Sequence, residues 1–438
     1  MNKSDINTRY KIFHILIDNE INSIRIDYLL SSESTFKNFS SQDIRFIHKV
    51  VYGIIRHKTK LDYYISRFYS GNFKKCLIKY KIILRIGVFQ LFYMNSVPNY
   101  AAVDTTVELC KKIDFSKVKL INALMRKLSD NIDLKNQDIR NNSIKFSHPE
   151  WLIKKWSNRW TDSDVLQLLN WNNSEPKIWF RINTLKISID QMYSDLNDAG
   201  IDFITHSLLN EFFCSKSVQL LIKSSMIKEN LISIQNPANG LVVKLLNPKR
   251  GDNVFDGCSA PGGKSLYINE LTDGNIKINS YDIDAQRIYL MNKHLKNYNL
   301  DNIVCYEKDL TNDSIPNYDL GLIDVPCSGT GVISKKVDIK WRRKQKDILE
   351  MSNLQSKIIN NVSQYLNSGG VLVYSTCSIE EEENWEIINN FLNSNNNFKL
   401  DIASKFIPDE YVDKNGCLSI FPPAHDLDGI FAARLIKE

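Results

Sequence analysis

The sequence predicts a multidomain protein: an all-α N-terminal domain, a small α/β middle module, and a C-terminal α/β domain built on a doubly wound, Rossmann-like parallel sheet. Three observations lead there. A chain of 438 residues is too long for one ordinary core. Apolar residues recur at helical spacing through the first third. From Asn239 onward, short apolar runs alternate with helical stretches, the pattern of parallel strands joined by crossover helices. The boundaries fall at 1–140, 148–235 and 236–438.

The N-terminal helices come first. In 42–56, Ile44, Ile47, Val50, Val51, Ile54 and Ile55 keep a helical period, and 80–94 and 100–112 behave alike. In 117–128, Val118, Ile121, Leu124, Met125 and Leu128 share one face. Residues 1–150 hold 25 Lys and Arg against 14 Asp and Glu, a balance of +11 in a chain whose total is +6. So basic a module beside an acidic remainder suits a polyanion-binding role. The polar, Asn-rich stretch 130–147 reads as a linker, and His148-Pro149 opens the next region. Within it, 178–205 reads strand, helix, strand.

In the last region VFDGC, NSYDID, NIVCYEKD, YDLGLIDVP and VLVYSTCS are five strands, each ending in polar residues. AQRIYLMNKHLKNYN and ILEMSNLQSKIINNVSQYL are helices between them. CLSIF and GIFAARLI suggest an antiparallel edge. A parallel sheet of this kind takes its ligands at the carboxyl ends of its strands.

Hydrophobic residues at 43% and charged residues at 24% are ordinary for a globular protein. No run nears the roughly 20 apolar residues of a membrane helix, and the N-terminus lacks a secretory pattern. A cytoplasmic protein without membrane association is expected. Its eight cysteines are scattered with no CxxC pair, and its seven histidines form no metal-ligand spacing, so neither disulfides nor a metal is expected.

VFDGCSAPGGKS lies where the first strand of the sheet meets its helix. Counting from Gly257, position 263 is Gly where a phosphate loop needs Lys, and GxGxxG is absent. Carboxylates end four successive strands: Asp256, Asp282 (with Asp284), Asp309 and Asp324. A carboxylate at the second tip can accept ribose hydroxyls, and one at the third can meet an adenine amino group. Cys327, in LIDVPCSGTG, and Cys377, in VYSTCS, end adjacent strands and should open onto one crevice. A thiolate is a soft nucleophile and a good leaving group, suited to adding across the 5,6 double bond of a pyrimidine.

FDGCSAPGGK, DVPCSGTG and YSTCS, in that order, resemble the signatures of the RNA cytosine-C5 methyltransferases, and PPAHDLDGIFAARL resembles their C-terminal element. Ser259 and Val325 depart from the Ala usual there. AAVDTTVELCKK with KVKLINALMRKL resembles a NusB-like RNA-binding domain, and WFRINTL and SIQNPANGLV the middle region of chains that combine both. The resemblance implies a class I methyltransferase domain that uses S-adenosylmethionine to methylate carbon 5 of one cytosine in 16S ribosomal RNA. It implies Cys377 as the attacking thiol and Cys327 as an aid to product release; Asp324, ending the fourth strand, is the carboxylate best placed to hold the N3/N4 edge of the base. The resemblance assigns the cofactor to Cys258, Ser259, Ala260, Pro261, Gly262, Gly263, Lys264, Asp282, Asp309 and Asp324.

The stretch 335–346 carries seven basic residues and one acid. Lys335, Lys336, Lys340, Arg342 and Arg343 are candidates for phosphate contacts, and Trp341 for stacking on a base. The expected partner is 16S ribosomal RNA before full subunit assembly, met by a monomer. Two rivals remain. A DNA or transfer-RNA C5-methyltransferase is one, and a DNA enzyme would use Cys327 as nucleophile. The other is a non-catalytic, NusB-like RNA-binding or assembly factor, which needs neither cysteine.

Overall fold

The computed structural model describes residues 3–31 and 36–438. The chain forms two compact units, Met1–Ser174 with Ile333–Arg342, and Glu175–Val332 with Arg343–Glu438. Among the described residues no helix is long and apolar enough to cross a membrane.

The first unit is helical. Its main helices are Lys3–Ile21, Ser41–Arg56, Lys58–Ser66, Ile78–Tyr93, Asn99–Ile113 and Val118–Asp130. Helix Ser41–Arg56 starts where Ser40 Oγ accepts from the Asp43 amide and the Asp43 carboxylate accepts from the Ser40 amide, two orphan donors satisfied reciprocally. Ile78–Tyr93 is largely apolar and runs through the core, with Ile83, Leu84, Ile86 and Val88 fully buried. The stretch expected as a linker is packed instead. Leu134 and Ile139 are buried in the helical core, and Asn142–Lys145 makes a helical turn. Helices Glu150–Ser157 and Asp162–Asn173, expected to open the middle module, also group with this unit.

In the second unit a four-stranded antiparallel sheet contains β1 (Trp179–Ile182), β2 (Ile204–Thr205), β3 (Phe212–Cys214) and β4 (Ile232–Ile234), in the order β2-β3-β1-β4. Helix Ile189–Asp198 buries Met192 and Leu196 beside Phe180, Ile182 and Phe213.

The larger sheet holds β5 (Asn253–Gly257), β6 (Lys277–Asp282), β7 (Ile303–Glu307), β8 (Tyr318–Asp324), β9 (Leu366–Thr376), β10 (Phe398–Asp401), β11 (Leu418–Ser419) and β12 (Phe431–Lys437). Its order is β10-β12-β9-β8-β5-β6-β7, with β11 on β12. The five strands read from the sequence are all parallel. The expected antiparallel edge is corrected: β12 runs antiparallel but lies between β9 and β10, and β10 closes that side. The strand order reverses direction at β5, so a crevice opens where the loops after β5 and β8 part company.

Candidate active site

The loop after β5 is shaped by its backbone. Cys258 adopts φ +56° and Gly262 φ +94°, and Gly262 caps helix Gly263–Leu271. A Cβ at Gly262 would lie 2.9 Å from the Met291 side chain and be strained at that φ, so glycine is required there. The Ser259 amide donates to Tyr281 O at 3.0 Å, and the Ala260 amide to Asp282 Oδ2 at 3.2 Å, which ties the loop to β6.

The strand-end carboxylates differ in what already holds them. Asp282, buried, accepts from the Ala260 and Asp284 amides and pairs with Arg287 at 3.0 Å. Asp309 Oδ1 accepts from Thr311, through both its amide and its hydroxyl. Asp324 Oδ1 accepts from Ser375 Oγ at 2.9 Å, and its Oδ2 meets Lys264 Nζ at 2.5 Å. Lys264, assigned from the sequence to the cofactor, thus reaches across to the carboxylate that ends β8. Asp256 is not at the crevice. It is buried beneath it and takes a hydrogen bond from Ser265 Oγ, while its Oδ1 has no partner. Burial pushes its carboxyl up to about 7.

β7, β6, β5 and β8 are neighbours, so Asp309, Asp282, the Gly262 loop and Asp324 end contiguous strands. The flanking carboxylates suit a ribose diol, an amine and a sulfonium charge, and the helix N-terminus suits a carboxylate on the same ligand. The donor set fits S-adenosylmethionine.

The two cysteines meet. Cys327 Sγ and Cys377 Sγ lie 3.1 Å apart as free thiols, each part-buried. The bond to Cys377 and burial hold the Cys327 thiol well above its ordinary range, so it keeps its proton at neutral pH. Gly331 secures the arrangement: its amide donates to Cys377 O at 3.1 Å, and its carbonyl accepts from the Gly429 amide at 2.8 Å. A Cβ on Gly331 would lie 2.4 Å from Gly429 O. The glycines of SGTG and DLDG therefore face each other, backbone against backbone.

The basic segment departs from expectation. Lys340 is fully buried in the helical unit, and its Nζ donates to Arg56 O and Asn173 Oδ1, each at 2.9 Å. Trp341 Nε1 donates to Ile55 O at 2.8 Å. Arg342 pairs with Asp338 at 3.1 Å. In the second unit Arg343 donates to Cys327 O at 3.0 Å and to Ser328 O at 3.1 Å. Lys340 and Trp341 are thereby corrected from RNA contacts to structural anchors, and Arg343 becomes a brace of the cysteine loop. Lys336 is exposed and Lys335 half-buried. Sequence reasoning missed Glu383, a buried carboxylate behind both cysteine loops. Its only signal was an unexplained acidic run after YSTCS.

Three family descriptions match the chain: 16S rRNA methyltransferase RsmB/F over residues 243–436, NusB family over 6–130, and an RsmF/B-like ferredoxin-like domain over 148–214. A ribosomal RNA small subunit methyltransferase B of Photorhabdus laumondii is 31% identical over 422 residues, 92% of each chain. One of an Enterobacter species is 30% identical over 405 residues, 91% of this chain and 92% of its own. The solved structure of PH0851 superposes with a TM-score of 0.80 at 23% identity, over the whole of both chains.

Proposed function

The chain belongs to the RsmB/F family of 16S rRNA methyltransferases, and on that premise we propose that it methylates carbon 5 of one cytosine in 16S ribosomal RNA through a covalent bond from Cys377 to carbon 6. Cytosine 967 is the position this family leads us to expect. The observation that carries the reading is the 3.1 Å approach of two free thiols at the tips of β8 and β9.

When bound, S-adenosylmethionine supplies an electrophilic methyl group on a sulfonium; Asp282, Asp309 and the 258–264 loop would hold it. The Cys377 thiol gives up its proton to water and adds as a thiolate to carbon 6 of the base, and electron density moves to carbon 5, which is otherwise a poor nucleophile. Asp324, fixed by Lys264 and Ser375, accepts from the N4 amino group as charge develops on that edge. Once carbon 5 is methylated, its proton leaves to water and the bond to Cys377 breaks. Cys327, holding its proton, donates a hydrogen bond to the departing sulfur.

The target base must leave its stack to reach both sulfurs, at a cost of a few kcal/mol that is least in a loop. We therefore place the reaction on a single-stranded segment before full subunit assembly, with the enzyme acting as a monomer. Exposed Lys336, Lys344 and Lys346 supply phosphate contacts, so binding weakens steeply with salt.

Separate Cys→Ala variants, incubated with unmodified 16S RNA and S-adenosylmethionine, test the assignment. Cys327→Ala should trap a denaturation-resistant protein–RNA adduct, and Cys377→Ala none. An adduct formed by Cys377→Ala would move the nucleophile to Cys327, as in the DNA enzymes. Bisulfite sequencing of the product RNA locates the methyl group.

A further inference from the structure

We propose that Glu383 is a positioning residue whose buried carboxylate sets the separation of the two catalytic sulfurs by binding the residue that follows each of them. The proposal deepens the functional reading above and rests on it for the roles of the cysteines.

The ladder between β8 and β9 ends before the cysteines. Asp324 is opposite Ser375, and the Val325 amide still donates to Ser375 O at 3.0 Å. Beyond that point the two backbones need other links to keep Cys327 facing Cys377. Glu383 supplies them from behind. It is 0% exposed. Its Oε1 accepts from the Ser328 amide at 2.7 Å and from Gln355 Nε2 at 3.0 Å. Its Oε2 accepts from the hydroxyls of Ser328 and Ser378. One carboxylate therefore grips Cys327's neighbour twice and Cys377's neighbour once.

The surroundings hold Glu383 as tightly as it holds them. Tyr374 Oη donates to Glu383 O at 2.6 Å. Asn384 accepts from Thr376 Oγ1 at 2.6 Å and donates to Ser378 O at 2.9 Å, which clasps Cys377 on both sides. The four donors to the carboxylate, two serine hydroxyls, the Ser328 amide and the Gln355 side-chain amide, are all neutral groups. Glu383 also contributes to holding the Cys327 thiol above its ordinary range. Glu383 touches neither sulfur in these bonds, so it acts through the serines.

The serines explain why both cysteine motifs continue with Ser. Ser328 Oγ and Ser378 Oγ lie 3.1 Å apart, and Thr330 Oγ1 accepts from the Ile379 amide at 3.2 Å. The two loops are thus laced together one residue beyond the sulfurs, and Glu383 closes the lacing.

The test reads sulfur spacing without using the reaction. Phenylarsine oxide condenses with two thiols, forming two As–S bonds and releasing one water, so it binds tightly only where two sulfurs are close. The full-length protein should bind one equivalent that withstands monothiols and is released by a dithiol. Cys327→Ala and Cys377→Ala should each lose it. Glu383→Ala should weaken it roughly a hundredfold, since chelation becomes two independent thiols. In the same variant kcat should fall about a hundredfold, with KM for RNA and calorimetric binding of S-adenosylmethionine unchanged. Glu383→Gln should rescue most of both, because rotating serine hydroxyls can donate to the amide oxygen and accept from its nitrogen.

If Glu383→Ala does not fold, Ser378→Ala removes a single bond and should weaken arsenical binding by roughly tenfold. A folded Glu383→Ala that keeps wild-type arsenical binding and kcat overturns the proposal, and so does unchanged binding in Ser378→Ala. Intact arsenical results in a protein that methylates no cytosine would sink the functional reading and leave the positioning role standing.

Discussion

Replacing Arg181 by Met removes the counter-charge from a carboxylate that has almost no water. Arg181 and Glu270 side chains are 1% and 4% exposed, and Arg181 Nη2 donates to Glu270 Oε1 at 2.8 Å. Arg181 Nη1 donates to Gly263 O at 3.0 Å and to Gln235, so the guanidinium also anchors the start of helix Gly263–Leu271. Burial already raises the Glu270 carboxyl despite the guanidinium, and its Oε2 has no partner. Breaking such a pair from one side costs about 3–5 kcal/mol. At roughly 2–4 °C per kcal/mol for a unit of this size, the melting temperature falls by roughly 6–20 °C.

The sign with pH is fixed. In Arg181→Met the folded carboxyl rises further while the unfolded one stays near its ordinary value of about 4.3. Above that value the folded state holds the extra proton, so the variant loses stability as pH rises through the window and recovers it on acidification. Urea denaturation of the full chain at about pH 5 and pH 8 measures this. Adding Glu270→Met should restore most of the loss and remove the pH slope. A double variant no more stable than Arg181→Met alone would show that charge compensation is not what Arg181 provides.

Other outcomes follow from the same geometry. Gly331→Ala, whose new methyl would meet Gly429 O at 2.4 Å, should lower kcat about a hundredfold through displacement of Cys377, with S-adenosylmethionine binding intact by calorimetry. Lys340→Met should flatten the rise of melting temperature between about pH 7 and pH 10. Burial holds the Lys340 amine well below its ordinary range, so the unfolded state binds more protons in that window and wild-type stability increases with pH. Trp341→Ala should lower melting temperature while leaving RNA affinity within about twofold. Lys336→Ala should do the reverse and flatten the salt dependence by roughly one counterion, read by filter binding.

The parallel strands were legible because each is an apolar run ended by polar residues, and the N-terminal helices because their period is sustained over several turns. β3, β4 and β10 escaped because runs of three or four residues carry too little alternation to stand out from loops. The stretch 130–147 misled because its apolar side chains are spaced irregularly, yet Leu134 and Ile139 are buried in the core. At the site, motif spacing brought Cys327, Cys377, Asp324 and the 258–264 loop to neighbouring strand tips. Composition failed for 335–346. A lysine buried against carbonyls and an exposed one have identical sequence signals, and only packing separates Lys340 from Lys336. Lys264 and Glu383 were obscured for a related reason: their partners are distant in the chain.

The segment Ile333–Arg342 has a consequence for anyone who would take the molecule apart. It begins six residues after Cys327, yet its Val337 is a fully buried part of the helical core. A fragment ending at Ser174 would carry a hole where that valine sits and would leave the carbonyls of Ile55 and Arg56 without the donors of Trp341 and Lys340. The complementary fragment would display those apolar and basic groups with nothing to receive them. No single scission yields two self-sufficient halves; a separable helical piece must have the ten-residue strip grafted back.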